Sequence, residues 1–286
     1  MNENISSFLD WSQTQLTQAG VLSPRLDSEI LLAHTLKLSR TDLRIYSERT
    51  LNESEKNRAE INVERRRNRE PVSLITGHQE FWSLDFVVDE NVLTPRPETE
   101  LLIETALNCI SSTSKRILDL GTGSGILTVT MAKEVPECAF TAMEIDPKAL
   151  SIAKKNARHH GMEDRIEFLC GDLREEDWSG PYSMILSNPP YIPSADIEKI
   201  MPEVKNFEPR KALDGGVTGL EFYRNIIPMA VDQLEENGFL ILEIGHTQAD
   251  EVTALLNQFP GYQKIEVIKD YSGYDRVIKA QKGSNG

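Results

Sequence analysis

Three shortages narrow this chain of 286 residues before any motif is considered. Cysteine is scarce: Cys109, Cys138 and Cys170 are scattered, odd in number and without metal-ligand spacing, so a reduced, cytoplasmic compartment is expected. Long apolar runs are missing, which excludes a membrane-spanning helix, and Met1-Asn2-Glu3-Asn4 carries no basic or apolar leader pattern, so no secretion signal is expected. Basic charge is short as well. Lys and Arg total 31 against 45 Asp and Glu, for a net charge of −14. A protein whose main task is gripping phosphate backbones carries a basic face, so nucleic acid is demoted as a partner and a basic protein or small cationic ligand fits better. What remains is ordinary for a soluble globular protein of one or two domains, 39% hydrophobic and 27% charged.

Residues 1–75 have helical character. Ser23-Pro24 is a helix start, with serine as N-cap and proline at the first helical position. Leu26, Ile30, Ala33 and Leu36 then repeat at helical spacing as the expected buried face. Asn52-Glu53-Ser54-Glu55 is a capping box with Asn in place of Ser or Thr. The following helix carries Arg58, Arg65, Arg66, Arg67 and Arg69, either a solvated face or a docking surface. Aromatic and β-branched residues over 76–94, with Gly77 and Asp89-Glu90-Asn91 as turn signals, predict a β-hairpin linking two domains. Thr94-Pro95-Arg96-Pro97-Glu98-Thr99-Glu100 then opens a helix.

Residues 95–286 alternate strands with helices, which predicts a doubly wound, mostly parallel sheet of seven strands. The expected strands begin at Arg116, Ala139, Ile166, Met184 and Phe239. The last two, Lys264–Ile268 and Arg276–Ala280, are too close for a crossover helix and should run antiparallel. The terminal residues Lys282–Gly286 are expected to fray. Residues 192–217 show no clean period, and a connection of that length suggests a loop that covers substrate.

Two groups of strand-end residues carry chemistry. Asp119-Leu120-Gly121-Thr122-Gly123-Ser124-Gly125 lies between the first strand and its helix, where glycines allow close approach of a ligand and the helix start offers N–H groups. Glu144, at the end of the next strand, can accept both hydroxyls of a ribose. The dinucleotide pattern would place glycine at Ile126, whereas the tighter spacing here suits S-adenosylmethionine, which has no phosphate. Asp172 is then placed to accept from the adenine amine while Leu173 packs on the ring. These residues and Asn188 all stand at C-terminal strand ends, where open α/β sheets bind ligands.

The second group is Asn188-Pro189-Pro190-Tyr191. Successive prolines stop the strand and hold Asn188 and Pro189 extended. The Asn188 side-chain oxygen and the Pro189 carbonyl can grip the two N–H bonds of an amide or exocyclic amine, orient it and favour its nucleophilic form. Tyr191 can stack on the planar group. Transfer to a methyl sulfonium then depends on positioning, with no strong base required. None of the histidines is given a catalytic role, and no metal is expected.

In these motifs the chain resembles class I S-adenosylmethionine-dependent methyltransferases and, along most of its length, the PrmC/HemK family. The resemblance rests on Pro71-Val72 with Ile75-Thr76-Gly77, Glu80-Phe81-Trp82, Pro95–Glu100, Asp119–Gly125, Asn188–Pro193, Glu208-Pro209 with Ala212-Leu213, Leu242–Gly245 and Asp275-Arg276-Val277. It implies transfer of a methyl group to the glutamine of the Gly-Gly-Gln motif of class 1 peptide chain release factors. It further implies that Gly121 to Gly125, Glu144, Asp172, Leu173 and Asn188 bind the cofactor, that Asn188 to Tyr191 hold the substrate, and that Arg96, Glu98 and Thr99 shape the methionine end of the pocket. The helical domain would help to grip the release factor. A cytoplasmic monomer is expected, with no direct nucleic-acid or membrane partner. Two competing functions are an adenine-N6 methyltransferase and a cofactor-binding module without catalysis; the acidic charge opposes the first and the intact Asn-Pro-Pro-Tyr run the second.

Overall fold

The computed structural model describes residues 4–113, 115–174 and 178–284, so Asn285 and Gly286 of the expected frayed end lie outside it. The chain divides into two compact units: residues 1–78 with 201–207, and residues 79–200 with 208–286.

The first unit holds α1 (Ile5–Gln18), α2 (Pro24–Leu36), α3 (Arg40–Ile45), α4 (Glu53–Arg67) and α5 (Val72–Thr76). Asn52 caps α4 as expected: its side chain accepts from the Glu55 amide at 2.9 Å while Glu55 accepts from the Asn52 amide at 3.0 Å. Ser23 departs from expectation. It precedes Pro24 at the helix start, but its hydroxyl donates to the Asp27 carboxylate at 2.7 Å instead of capping the backbone. The buried face of α2 is rotated from the one its apolar spacing suggests. Leu26 is 41% exposed, while Asp27, Ser28, Glu29, Leu31 and Leu32 are buried.

That rotation is explained by charge. Arg66 is buried and donates to Asp27 at 2.7 Å and to Glu203 at 3.2 Å. Glu203 lies on α9 (Pro202–Phe207), a short helix from the segment after Asn188 that belongs to this unit, and it also accepts from Arg69 at 2.8 Å. Arg65 pairs with Glu70 and Arg67 with Glu64. Much of the arginine run is therefore spent on intrachain ion pairs, and Arg66 is neither solvated nor available for docking. Removing one member of a buried set strands its partners without compensation. Arg66→Leu should lower stability by about 3–5 kcal/mol, measured by urea denaturation of the intact chain; an unchanged midpoint would refute a structural role for the set.

The second unit begins with a hairpin, β1 (His78–Phe81) and β2 (Leu84–Val87). The signals at Gly77 and Asp89-Glu90-Asn91 mark turns that flank it, while its own turn is Trp82-Ser83, where both residues have positive φ, +53° and +58°. Side chains stabilise that left-handed pair: the Trp82 amide donates to Glu100 at 2.8 Å and the Ser83 amide to Glu80 at 2.6 Å.

The sheet strands are β3 (Arg116–Leu120), β4 (Ala139–Glu144), β5 (Ile166–Cys170), β6 (Tyr182–Ser187), β7 (Leu234–Glu243), β8 (Tyr262–Lys269) and β9 (Asp275–Lys282). Their order is β5-β4-β3-β6-β7-β9-β8, with the first five parallel and β9 antiparallel to both neighbours. The core strands are apolar on both faces, as a doubly covered sheet requires. One face packs Ile117, Phe140, Met184 and Leu186 with α6 (Glu100–Leu107) and α7 (Ile126–Glu134), and α8 (Pro147–His159) adds Ala157. The other packs Leu118, Ile185 and Leu242 with α10 (Glu221–Gln233) and α11 (Ala249–Leu256).

Residues 192–217 lack a clean period because they form several single-turn pieces rather than one element. The segment closes on itself, with the Ile192 amide donating to Leu213 at 3.0 Å and the Gly215 amide to Ile192 at 2.9 Å.

Candidate active site

Neighbouring strands connect to opposite sides between β3 and β6, the position where open α/β sheets leave a crevice. The last register pair is Leu120 with Ser187, and the Ser187 hydroxyl donates to the Leu120 carbonyl at 2.7 Å. The glycine turn and Asn188 therefore leave the sheet side by side. A cleft of about 260 Å³ opens there, lined by Gly121 to Ser124, Glu144, Asp172, Leu173, Asn188 and Pro190, among others. Gly125 lies beneath it, where an added Cβ would come within 3.2 Å of Ala153, so it serves close packing of α7 on α8. Pro189 is buried and neither it nor Tyr191 lines the cleft.

The glycine turn differs from a phosphate cradle. Gly121 and Gly123 have φ of +72° and +57°, and a Cβ on either would meet no atom within 4 Å. Yet the amides expected to be free are committed: Gly121 and Thr122 donate to the Met143 carbonyl, Gly123 to Glu144 at 3.0 Å and Gly125 to the Thr122 carbonyl. Such a turn offers room but few N–H groups, which fits S-adenosylmethionine better than a dinucleotide.

Under the turn, Asp119 accepts from the hydroxyls of Thr122 at 2.6 Å and Thr128 at 2.5 Å. Its Oδ1 is buried without a partner. Burial pushes its carboxyl up to about 6 against those hydrogen bonds. Glu144 spans the turn, one oxygen on the Gly123 amide and the other on the Asp146 amide, both at 3.0 Å; burial raises its pKa. Lys211 reaches from the 192–217 segment to an ion pair with Asp146, beside Glu144. At the adenine end, the Asp172 carboxylate is held by the Arg174 guanidinium, down to 2.6 Å, so an adenine amine would share this acceptor. Burying Leu173 there leaves an apolar wall.

On the other side, Arg96 grips both oxygens of the buried Glu208 at 2.7 Å, fixing the 192–217 segment against the Pro95–Glu100 run. Burial raises the Glu208 pKa despite that arginine. Thr99 is fully buried and donates to Glu243 at 2.7 Å, and Asn188 Nδ2 lies 3.3 Å from the Thr99 hydroxyl. The Tyr191 hydroxyl donates to the other Glu243 oxygen at 3.3 Å. Thr99 and Arg96 line the cleft, and Glu98, outside the lining, enters as a negative charge near Glu243. Tyr191 is directed to a carboxylate and stands outside the cleft lining, so the stacking role expected for it has no counterpart in the cleft. The motif reading gave no role to Glu243, Lys211 or Arg174. Glu243 had two sequence signals: it follows the apolar run Phe239–Leu242 and lies in the Leu242–Gly245 run.

These residues fit S-adenosylmethionine: an acid at the ribose position, an apolar wall with an acceptor at the adenine position, and open space above a glycine turn. Hydrogen bonds to a charged acceptor are worth about 1.5–3 kcal/mol. Glu144→Ala should therefore weaken S-adenosylhomocysteine binding roughly ten- to hundredfold, checked by isothermal titration calorimetry; undiminished affinity would remove Glu144 from the site.

Comparison with known proteins agrees with this geometry. Residues 7–77 match the PrmC N-terminal domain, and residues 97–204 match the methyltransferase small domain. The release factor glutamine methyltransferase of Geobacter sulfurreducens is 40% identical over 98% of this chain and 97% of its own length. That of Rhodospirillum rubrum is 39% identical over 99% of this chain and 86% of its own. Among solved structures, a methyltransferase from Pyrococcus furiosus superposes with TM-score 0.53 at 19% identity, covering 71% of this chain and 91% of that one. The hMettl16 catalytic domain, solved with an RNA hairpin, gives 0.59 at 19% over 84% of each chain. The solved structures establish a methyltransferase fold; the sequence relatives establish more, and by them the chain belongs to the release factor glutamine methyltransferase family.

Proposed function

We propose that this protein transfers the methyl group of S-adenosylmethionine to the side-chain amide nitrogen of the Gly-Gly-Gln glutamine in class 1 release factors. The observation that carries the chemistry is the placement of Asn188 directly beside the glycine turn, at adjacent strand ends. When bound, the sulfonium supplies an already activated methyl group. The chain supplies position, which accounts for much of the barrier reduction in such transfers. Asn188 Oδ1 and the Pro189 carbonyl accept the two amide N–H bonds and turn the nitrogen lone pair toward the donor; the nitrogen becomes acidic as the methyl arrives and releases one of those protons to solvent, so no strong base is required. The proline pair limits backbone rearrangement while this happens. Gly121 to Gly125, Glu144, Asp172, Leu173 and Asn188 hold the cofactor, with Thr99, Arg96 and Glu98 at its methionine end.

A protein substrate is also consistent with charge. The net charge is −14, and Arg65, Arg66, Arg67 and Arg69 have intrachain acidic partners, so a phosphate backbone would have to displace those pairs. In this reading the protein works in the cytoplasm as a monomer without nucleic acid, and residues 1–75 help to grip the release factor, with the hairpin of 76–94 leading into the catalytic domain at 95–286.

Mass spectrometry of a release factor incubated with the protein and S-adenosylmethionine should find one added methyl on the Gly-Gly-Gln glutamine. Methylation of DNA or RNA instead would favour the adenine alternative. Asn188→Ala should keep cofactor affinity within a few-fold and lower kcat by at least roughly a hundredfold, the scale for losing one preorganised polar contact; unchanged turnover would overturn the amide-gripping role.

A further inference from the structure

Asn188 presents a problem of polarity. A carboxamide has an oxygen end and a nitrogen end of nearly equal size, and only surrounding hydrogen bonds decide which faces a given direction. For substrate N–H bonds to be gripped, the oxygen must face the cleft. Nothing in the Asn-Pro-Pro-Tyr backbone fixes that choice.

The structure assigns it to Glu243, which we propose is a positioning residue that acts through the Thr99 hydroxyl to set the orientation of the Asn188 carboxamide. The proposal rests on the methyltransferase reading above. Glu243 is 1% exposed and stands at the end of β7, one residue beyond the Leu242–Ser187 register pair, level with Asn188. Its Oε2 receives the single hydroxyl proton of Thr99 at 2.7 Å. With that proton committed to a carboxylate, Thr99 Oγ1 has only lone pairs left to offer. It can therefore accept from Asn188 Nδ2, which lies 3.3 Å away, and cannot donate to Asn188 Oδ1. The three groups form a one-way chain, Asn188 to Thr99 to Glu243, and the free end is the Asn188 oxygen.

The direction depends on the charge of Glu243. A protonated carboxyl can donate to Thr99, whose hydroxyl is then released to donate to Asn188 and accommodate the flipped amide. The surroundings of this carboxyl are mixed. Thr99 and Glu98 face it from the turn before α6, Tyr191 from after β6, and Arg276 from β9; the Tyr223 hydroxyl on α10 binds the Glu243 backbone carbonyl rather than its side chain. Burial outweighs Arg276 and the hydroxyls and pushes the carboxyl up to about 7. The same burial produces a signal independent of turnover. A carboxyl raised in the folded state keeps a proton that the unfolded chain has lost, so stability falls as pH rises from its ordinary value of 4.5 to about 7, and the loss is complete above that.

The test compares wild type, Glu243→Gln, Thr99→Val and Thr99→Ser on an intact release factor, with S-adenosylmethionine varied up to saturation. Wild-type kcat should fall with a single proton as pH drops through about 7. Glu243→Gln should lose this acid limb and show kcat reduced roughly ten- to hundredfold at pH 8, the scale for losing an orienting partner, with cofactor KM changed by only a few-fold. Thr99→Val should likewise lose the acid limb and kcat, and Thr99→Ser should recover most of the kcat that Thr99→Val loses. The melting temperature of Glu243→Gln relative to wild type should rise with pH between 4.5 and about 7. Parallel losses of kcat and melting temperature with the acid limb intact would reduce Glu243 to a packing role and overturn the proposal. Glu243→Gln matching wild-type kcat at every pH would overturn it alone, whereas absence of methylation by the wild type would overturn the substrate reading together with it.

Discussion

The lateral pairing of β3 with β6 is the constraint from which the site follows. The two strands are not consecutive in sequence, yet they end at one level, locked by the Ser187–Leu120 hydrogen bond. Because the chain winds outward from this pair in both directions, the covering helices diverge and leave a crevice above the strand ends. Glu144, Asp172 and Glu243 reach the same level from β4, the end of β5 and β7. A slip of one residue in β6 would move Asn188 by about 3.3 Å and send its side chain to the other face. The Ser183 and Ser187 hydroxyls, which donate to the Arg116 and Leu120 carbonyls of β3, guard against that slip.

Charge is buried where stability would not place it. Asp119 and Glu243 are nearly inaccessible, and burial holds both carboxyls above their ordinary range, at about 6 and about 7. Each carries a proton in the folded state over a pH interval where the unfolded chain does not, and so each weakens the fold as pH rises through that interval. Apolar residues would cost less at either position. Violations of local stability rules concentrate at functional sites, and both acids lie at the C-terminal end of the sheet. The Arg66 set differs: Arg66 is matched by Asp27 and Glu203, and Arg69, with Arg66, holds the Glu203 carboxyl below its usual value despite burial. One arrangement organises a scaffold and the other tunes a site.

Much of this was legible in the chain itself. The alternation after Lys115, the short gap before Arg276 and the runs at Gly121 and Asn188 specify the sheet, its antiparallel strand and the cleft, because these features depend on local spacing. The misjudged features depend on partners distant in sequence. The α2 face turns toward Arg66 of α4, which no helical period can foresee. The Trp82-Ser83 turn adopts positive φ because Glu80 and Glu100 bind its amides, so its residue types carry no glycine signal. The Gly121, Thr122 and Gly123 amides are spent on Met143 and Glu144, a fact set by the β4 register rather than by the glycine spacing. Glu243 was visible as an acid after the apolar run Phe239–Leu242, but its role appears only once Thr99, 144 positions earlier, is brought to it.

The two proposed acceptors make different demands on the fold. The Pro189 carbonyl belongs to the backbone, and the flanking prolines remove most of its freedom before any ligand arrives. The Asn188 oxygen belongs to a side chain, with a rotatable carboxamide whose wrong orientation would present donors to donors. Rigidity in the backbone cannot correct that, because the ambiguity lies beyond the Cβ atom. A hydrogen-bond network is the available remedy, and it is found on the Asn188 side, running through Thr99 to a carboxylate that burial has made responsive to pH. The conformational restriction in the proline pair and the polarity imposed by Glu243 are thus complementary solutions to one requirement: two acceptors already aimed before the amide enters.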